Sequence, residues 1–415
     1  MAQNGLDLRI ERLGPLPLVN HFIARLGLME LLARHVPTRD PRCRLAYATG
    51  LGVLLRSILT EREPIYRMGE VVEGFAPEGF GLPQAAPTVG DDAIGRALDR
   101  LYDADRGSLL TEVVIAAGER FGLCFDELHN DSTTVKFAGR YAQARGRSIR
   151  GKRGPFITWG HSKDHRPDLK QLLYVLTTAK DGGVPVQFRA EAGNCNDSRT
   201  HVTSWEALCR VTKRKDFLYV ADSKLCTEDA LEHIDRHGGR FVTVLPRNRK
   251  EDKEFRAWIQ DQAPAWELVW DRRHPRRAGG PRDRWHVLRA PLPSREGWPV
   301  IWVYSVLLQS RQAQARHDRM ARAQQDLLAL DRTCRGDRSR IRSSHEARRR
   351  ADAILDRRHV QRYLTVTVTA DDTHRFRQSR PGRPGPHTVY VRRSRRRWRV
   401  AWSVNEQAVA YDHMR

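Results

Sequence analysis

The sequence contains no run of about 18 apolar residues, the length a helix needs to cross a bilayer. Its first residues lack the basic, apolar, then small-residue succession of a signal peptide. Both absences lead to the expectation of a cytoplasmic protein with no membrane partner. Cysteine is scarce. Cys43, Cys124, Cys195, Cys209, Cys226 and Cys334 are the only six, and no two form a C-x-x-C pair. That spacing offers neither a zinc site nor a disulfide framework, so the six read as reduced thiols. Lysine is missing before Lys136 and after Lys253. Acidic residues are in deficit, 50 against 73 Lys and Arg, which leaves a formal charge of +23. Such an excess attracts a polyanion, and nucleic acid is the first candidate. The arginine bias by itself is weaker evidence, because coding composition also produces it.

A chain of 415 residues is long enough for two or three domains with cores of their own. Residues 1–122 read as an all-helical domain. Leu18, Phe22, Ile23 and Leu26 recur at helical spacing, as do Ile94, Leu98 and Leu101 after Asp91 or Asp92 as N-cap. The apolar run from Leu109 to Ala117 predicts a further helix. Residues 123–260 alternate short apolar runs with amphipathic helices. Gln171–Thr178 and Val184–Phe188 flank the turn residues Lys180 to Gly183 and predict a hairpin. Trp205, Leu208 and Cys209 share a helix face, and Phe217–Ala221 suits a buried strand. Thr227 is placed to cap a helix carrying Leu231 and Ile234, and Phe241–Leu245 predicts another strand. The order strand, hairpin, helix, strand, helix, strand describes an α/β domain. Residues 261–415 predict a strand at Val300–Leu307 and one long Arg-rich helical stretch over about 311–357. An alternating strand follows at Leu364–Ala370, and a last hairpin is expected from Val389–Val391 and Trp398–Val404.

Two aspartates stand out. Asp131 lies in His129-Asn130-Asp131-Ser132-Thr133-Thr134-Val135 on the first expected strand of the α/β domain. Asp222 follows the buried strand in Val220-Ala221-Asp222-Ser223-Lys224. A carboxylate at the end of a buried strand is costly unless exposed or paired. Two such ends on adjacent strands would converge on one sheet edge, and hard oxygen ligands there suit Mg²⁺ or Mn²⁺. Two ions about 4 Å apart support phosphodiester cleavage. The competing reading is that each Asp merely caps a helix or turn. His161 and His165 have no third ligand at a zinc-like spacing.

These residues resemble a known family. Asp131-Ser132-Thr133-Thr134, the run Gly160-His161-Ser162-Lys163-Asp164-His165-Arg166-Pro167-Asp168-Leu169-Lys170-Gln171, then Gly193-Asn194-Cys195-Asn196-Asp197 and Ala221-Asp222-Ser223-Lys224 resemble the DDE transposases of bacterial insertion sequences. The likeness is to the insertion-sequence-four group, in its sixteen-thirty-four branch, and Phe241 to Asp252 also looks like that branch. The resemblance implies a ribonuclease-H-like catalytic core, preceded by the helical domain and followed by a helix-plus-β insertion subdomain. It implies cleavage and strand transfer at element ends dependent on two Mg²⁺ or Mn²⁺ ions, with Asp131 and Asp222 as the first two ligands. DNA, as terminal inverted repeats and target, is the implied partner, with a homodimer acting on it.

The group's third acid is a Glu in a helix, in a pattern of Tyr, Arg, Glu and Lys, and no full match is present. Tyr411 has Arg415 at the wrong spacing, and Glu406 falls in an expected strand or turn. Glu346 has Arg342 at the right spacing, but Ser339 and Ala353 stand where Tyr and Lys belong. The expectation is a chain that stops before its third acid. The alternatives are a catalytically inactive DNA-binding remnant that inhibits the intact transposase, or a general nuclease of the same fold. Three basic clusters are candidate DNA contacts: Arg272, Arg273, Arg276 and Arg277; Arg348, Arg349 and Arg350; and Arg392, Arg393, Arg395, Arg396, Arg397 and Arg399. The last is favoured because Trp398 and Tyr390 would stack on an unpaired base. Lys163, Arg166, Lys170 and Lys224, near the two acids, would neutralise phosphate or pair with Asp164 and Asp168.

Overall fold

A computed structural model describes residues 11–83, 89–142, 144–162, 165–262, 264–273, 280, 282–289 and 293–410. The chain divides into two compact units, Met1–Pro246 and Arg247–Arg415. Among the described residues no single helix is long and apolar enough to cross a membrane. The candidate DNA contacts Arg276 and Arg277 lie outside the described residues.

The first unit begins with helices α1 (Leu16–Leu26), α2 (Leu28–His35), α3 (Tyr47–Thr60), α4 (Met68–Glu73), α5 (Asp91–Asp103) and α6 (Arg106–Phe121). Gly27, at φ 65°, adopts the left-handed conformation that ends α1 and turns the chain into α2. Leu16, Val53, Met68, Phe75, Phe80 and Ile94 form one apolar cluster, and Leu31, Leu32, Leu51, Ala97 and Leu109 a second. Gly90 rather than Asp91 or Asp92 is the N-cap of α5. The two acids lie in the first turn instead, where the helix dipole favours negative charge. Asp105 caps α6 by accepting from the N–H groups of Gly107 and Ser108.

The same unit holds a five-stranded mixed sheet of β1 (Glu127–Phe137), β4 (Lys170–Ala179), β5 (Pro185–Ala192), β6 (Leu218–Ala221) and β7 (Arg240–Val242). A small hairpin, β2 (Ser148–Ile149) and β3 (Lys152–Arg153), interrupts the path from β1 to β4. The spatial order is β5-β4-β1-β6-β7. β4 is antiparallel to both neighbours, whereas β6 and β7 run parallel to β1. Gly182 and Gly183, at φ 67° and 64°, make the tight turn between β4 and β5. Helices α7 (Thr200–Thr212) and α8 (Glu228–Arg236) connect β5 to β6 and β6 to β7. Thr227 is at the N-cap of α8 but its side chain makes no capping bond. Leu128, Val175 and Tyr219 are fully buried on one sheet face. There α7 brings His201 within 3.1 Å of the Tyr219 hydroxyl and sets Trp205 against Phe217.

The second unit contains α9 (Lys250–Asp261) and a three-stranded sheet of β8 (Glu267–Arg272), β9 (Asp283–Arg289) and β10 (Ile301–Ser305). Next come α10 (Val306–Arg335), α11 (Ser344–Arg358), β11 (Leu364–Ala370), β12 (Thr373–Gln378), β13 (Tyr390–Arg395), β14 (Trp398–Val404) and α12 (Glu406–Ala410). Leu327, Ile341, Ala347, Ile354, Leu364 and Val400 are among its core residues. Two expectations are corrected here. The single long helix is two helices, broken after Arg335 at Gly336, with Ser343 restarting the second by accepting the Glu346 N–H at 3.1 Å. The expected last hairpin is not formed: β13 pairs with β12, and β14 with β11. β12, Thr-His-Arg-Phe-Arg-Gln, was missed because almost every residue of it is exposed and no apolar alternation marks it. Replacing Ser343 with Ala should lower the stability of this unit by about 1 kcal/mol. A shifted denaturant midpoint at unchanged m-value would show it.

Arg249 bridges Glu251 at 2.6 Å and Glu296 at 2.7 Å. Its hydrogen bond to Glu251 is the main cause holding that carboxyl at about 2, below its ordinary 4.5. A carboxyl depressed in the folded state contributes stability above its unfolded value and loses it as pH falls through the folded one. Glu251→Gln should therefore flatten the decline of stability between pH 4.5 and about 2. Thermal melts across that window test it, and an unchanged acid limb would contradict it.

Candidate functional site

β1 and β6 run parallel in a register that pairs Leu128 with Tyr219 and Asn130 with Ala221. Asp131 is the next residue within β1, and Asp222 is the first residue after β6 ends. Asp131 thus lies inside its strand, not at the expected strand end. Both residues are exposed. From β1 the chain goes to β4 and β5 on one side, then crosses by α7 to β6 and β7 on the other. Ligands of open α/β sheets bind where strand order reverses in this way.

Local hydrogen bonds hold the acids. Asp131 accepts from the Ser132 N–H at 2.7 Å. Asp222 accepts from the Lys224 N–H at 2.9 Å, closing a turn, and its carbonyl accepts from the Thr243 hydroxyl at 2.6 Å. The turn-forming role foreseen as the alternative is thus real for Asp222, and it fixes the carboxylate rather than hiding it. Among the described residues no group of three or more His, Cys, Asp or Glu is assembled for a metal.

The candidate basic residues have separate fates. Lys163 and Asp164 lie outside the described residues. Arg166 makes a two-pronged bond to Asp168, at 2.8 and 2.7 Å, and is committed to it. Lys170 donates to the Arg140 carbonyl and sits 4.9 Å from the Trp159 ring. Lys224 is exposed two residues from Asp222. In the second unit Arg392, Arg393, Arg395, Arg396 and Arg399 are exposed, and Arg396 is 3.3 Å from Asp372. Arg397 is a correction. It is 3% exposed and donates to the Asp337 carbonyl at 2.9 Å, so it is a structural anchor with no face for a phosphate. Trp398 is a second correction, because it packs against the core of this unit instead of standing free to stack. Glu346 donates its backbone N–H to the capping Ser343 hydroxyl, and its carboxylate pairs with Arg350 at 2.8 Å. Glu406 opens a short helix, not a strand or turn.

The sequence reading missed the run Arg145-Gly146-Arg147-Ser148-Ile149-Arg150-Gly151-Lys152-Arg153, whose density of charge was the available signal. It forms the small hairpin, and its ends, Arg145, Gly146, Lys152 and Arg153, line with Arg106, Arg189 and Asn194 a cleft of about 960 Å³ beside edge strand β5. Lys152 inserts its ammonium among the carbonyls of Tyr102, Asp103 and Ala104 at 2.8, 2.9 and 2.6 Å. The Tyr102 and Asp103 carbonyls are among those that the end of α5 leaves without a helical partner, the Ala104 carbonyl also accepts from the Arg106 N–H at 3.0 Å, and a cation there meets the negative end of the helix dipole. Lys152→Met should cost about 2 kcal/mol and raise protease cleavage within residues 144–156. Equal cleavage of the two proteins would show that the clamp is not needed.

Residues 8–115 match the family described as "Domain of unknown function (DUF4277)". No curated protein matches the chain. Among solved structures, a cryo-EM structure of the piggyBac transposase synaptic complex with hairpin DNA is similar at TM-score 0.34 and 9% identity. The match covers 68% of this chain and 60% of that one, so this chain spans less than two thirds of it. At that score and identity the likeness assigns neither a fold nor an activity to this chain.

Proposed function

We propose that this chain is a DNA transposase of the DDE kind, with a ribonuclease-H-like core, acting in Mg²⁺- or Mn²⁺-dependent cleavage and strand transfer at insertion-sequence ends. The observation that supports the reading is the parallel register of β1 and β6, which ends at Asn130 and Ala221 with the exposed Asp131 and Asp222 as the next residues, at the reversal of strand order. The sheet supports it further. A long first strand with an antiparallel hairpin on one side and two parallel strands on the other is the arrangement a ribonuclease-H-like core would have.

The donors fit the metal. Two carboxylates are hard oxygen ligands of the type Mg²⁺ and Mn²⁺ take. Such ions, when bound, supply a deprotonated water and stabilise the leaving oxygen of a phosphodiester. The chain's own part is to fix Asp222 in its turn and to hold Asp131 rigidly within β1. Lys224 offers a nearby cation to the nucleic-acid backbone, and the formal charge of +23 draws DNA to the protein.

The test is cleavage of end-labelled DNA carrying terminal inverted repeats, with random duplex as control. With no third acid grouped with the two aspartates among the described residues, the expected result is only weak nicking at element ends, requiring Mg²⁺ or Mn²⁺ and lost in Asp131→Asn and Asp222→Asn. Nicking that persists in those variants, or that ignores the element end, would sink the proposal.

A further inference from the structure

The segment from Thr373 to Arg395 contains seven arginines and no acidic residue. It forms a two-stranded ribbon, β12 against β13, whose residues are exposed on both sides except for half-buried Gln378 and Thr388. The register sorts its side chains. Arg375 lies directly opposite Arg393, Thr373 opposite Arg395, and Arg377 opposite Val391. Arg375, Arg377, Arg393 and Arg395 therefore share one face. Phe376, Tyr390 and Arg392 share the other, where His374 is bonded to Ser394 at 2.9 Å.

This arrangement is costly for an isolated ribbon. Like charges directly across a strand pair destabilise it, and a two-stranded ribbon is marginal in water to begin with. The root is secured. Asp337 pairs with Arg375 and Arg397, and its carbonyl accepts from Arg395 at 2.8 Å and from Arg397 at 2.9 Å. Charge on an exposed strand also guards against edge-to-edge pairing. Mixed signs would serve that purpose equally well, so it does not account for seven positive residues and no negative one.

We propose that the arginine face of this ribbon is a binding surface for duplex DNA, contacting it through Arg377 and Arg393, while Arg375 and Arg395 anchor the face to Asp337. A two-stranded ribbon fits the width of the major groove, about 12 Å. Arginine offers the planar fork that phosphate and guanine edges accept. The proposal rests on the DNA reading above only for the identity of the polyanion.

The experiment is a salt titration of full-length protein binding to a labelled random-sequence duplex, with EDTA present so that the two aspartates play no part. R375Q/R377Q/R393Q should reduce the slope of log affinity against log salt by about 1.8, from about 0.9 for each of Arg377 and Arg393, because Arg375 is paired with Asp337. The opposite-face variant F376S/R392Q should change it by less than about 1. An unchanged slope in the triple variant overturns the proposal. So does a loss that falls equally on poly-glutamate, which would mark an acidic protein as the partner. If F376S/R392Q instead abolishes binding to a single-stranded oligonucleotide while the triple variant binds duplex normally, the aromatic face is the site and the arginine face is not. Failure of the Asp131 and Asp222 variants to affect cleavage would leave this outcome untouched.

Discussion

Replacing Asp131 or Asp222 with asparagine is expected to lower the affinity of the full chain for Mn²⁺ by at least about 100-fold. The floor follows from metal sites generally, where altering a residue that only supports a ligand already costs 10–100-fold. The same substitutions should act in the opposite direction on the metal-free protein. Two carboxylates held close enough to share a metal repel each other without it, and a like pair across neighbouring strands costs about 0.2–1 kcal/mol. Asp222→Asn should therefore raise the denaturant midpoint slightly in EDTA. With Mn²⁺ at about 100 times its dissociation constant, the unaltered protein should gain about 2.7 kcal/mol, and the variant almost none. Calorimetry with Mn²⁺, and melts with and without it, read both signs. If Asp222→Asn binds Mn²⁺ as the unaltered protein does, the carboxylates are turn formers and the enzymatic reading fails.

The parts of this site that could be read from the sequence were those written in local pattern. The runs Gln171–Thr178, Val184–Phe188 and Phe217–Ala221 correspond to the strands β4, β5 and β6, with ends displaced by a residue except at β5, which runs four residues further to Ala192. The proximity of Asp131 and Asp222 was an inference from two strand ends; β1 and β6 are indeed parallel neighbours, but Asp131 lies within β1 and only Asp222 follows a strand end. Three things were not legible. Arg397 sits in a run of arginines indistinguishable by composition, and only the position of the Asp337 carbonyl makes it an anchor. Lys152 looks like any surface lysine until the end of α5 is placed around it. The break between α10 and α11 is a matter of tertiary packing: Ile341, in the connecting segment, is buried in the core with Leu327 and Ile354. Periodicity reports faces, whereas these features depend on which distant backbone groups arrive beside a residue.

Gly193→Ala is expected to be among the most damaging single substitutions in the chain, costing at least about 3 kcal/mol. Gly193 and Gly160 belong to two of the quoted motifs, and neither has the positive φ that would make backbone conformation the reason for glycine. The reason is space. The segment before Gly160 bridges to β4, with Thr158 and Gln171 exchanging backbone bonds at 3.2 and 2.8 Å. Gly193 bonds back to the Phe156 carbonyl at 3.0 Å, and the Gln171 amide reaches the Gly193 carbonyl at 2.8 Å. A methyl group on Gly193 would lie 2.1 Å from the Gln171 carbonyl oxygen and 2.6 Å from that of Thr158. One on Gly160 would lie 1.9 Å from the Gly193 carbonyl oxygen. These obstacles are backbone atoms already held by hydrogen bonds, so relief requires breaking the bridge. Gly52 provides the contrast. An added methyl there would come within 2.8 Å of Met29 and Arg56, but of the far ends of their side chains, which can swing away. Gly52→Ala should therefore cost well under half as much as Gly193→Ala in the same denaturant series. If the two are equally tolerated, the close approach of Gly160, Gln171 and Gly193 is not what holds the segment before β4 in place.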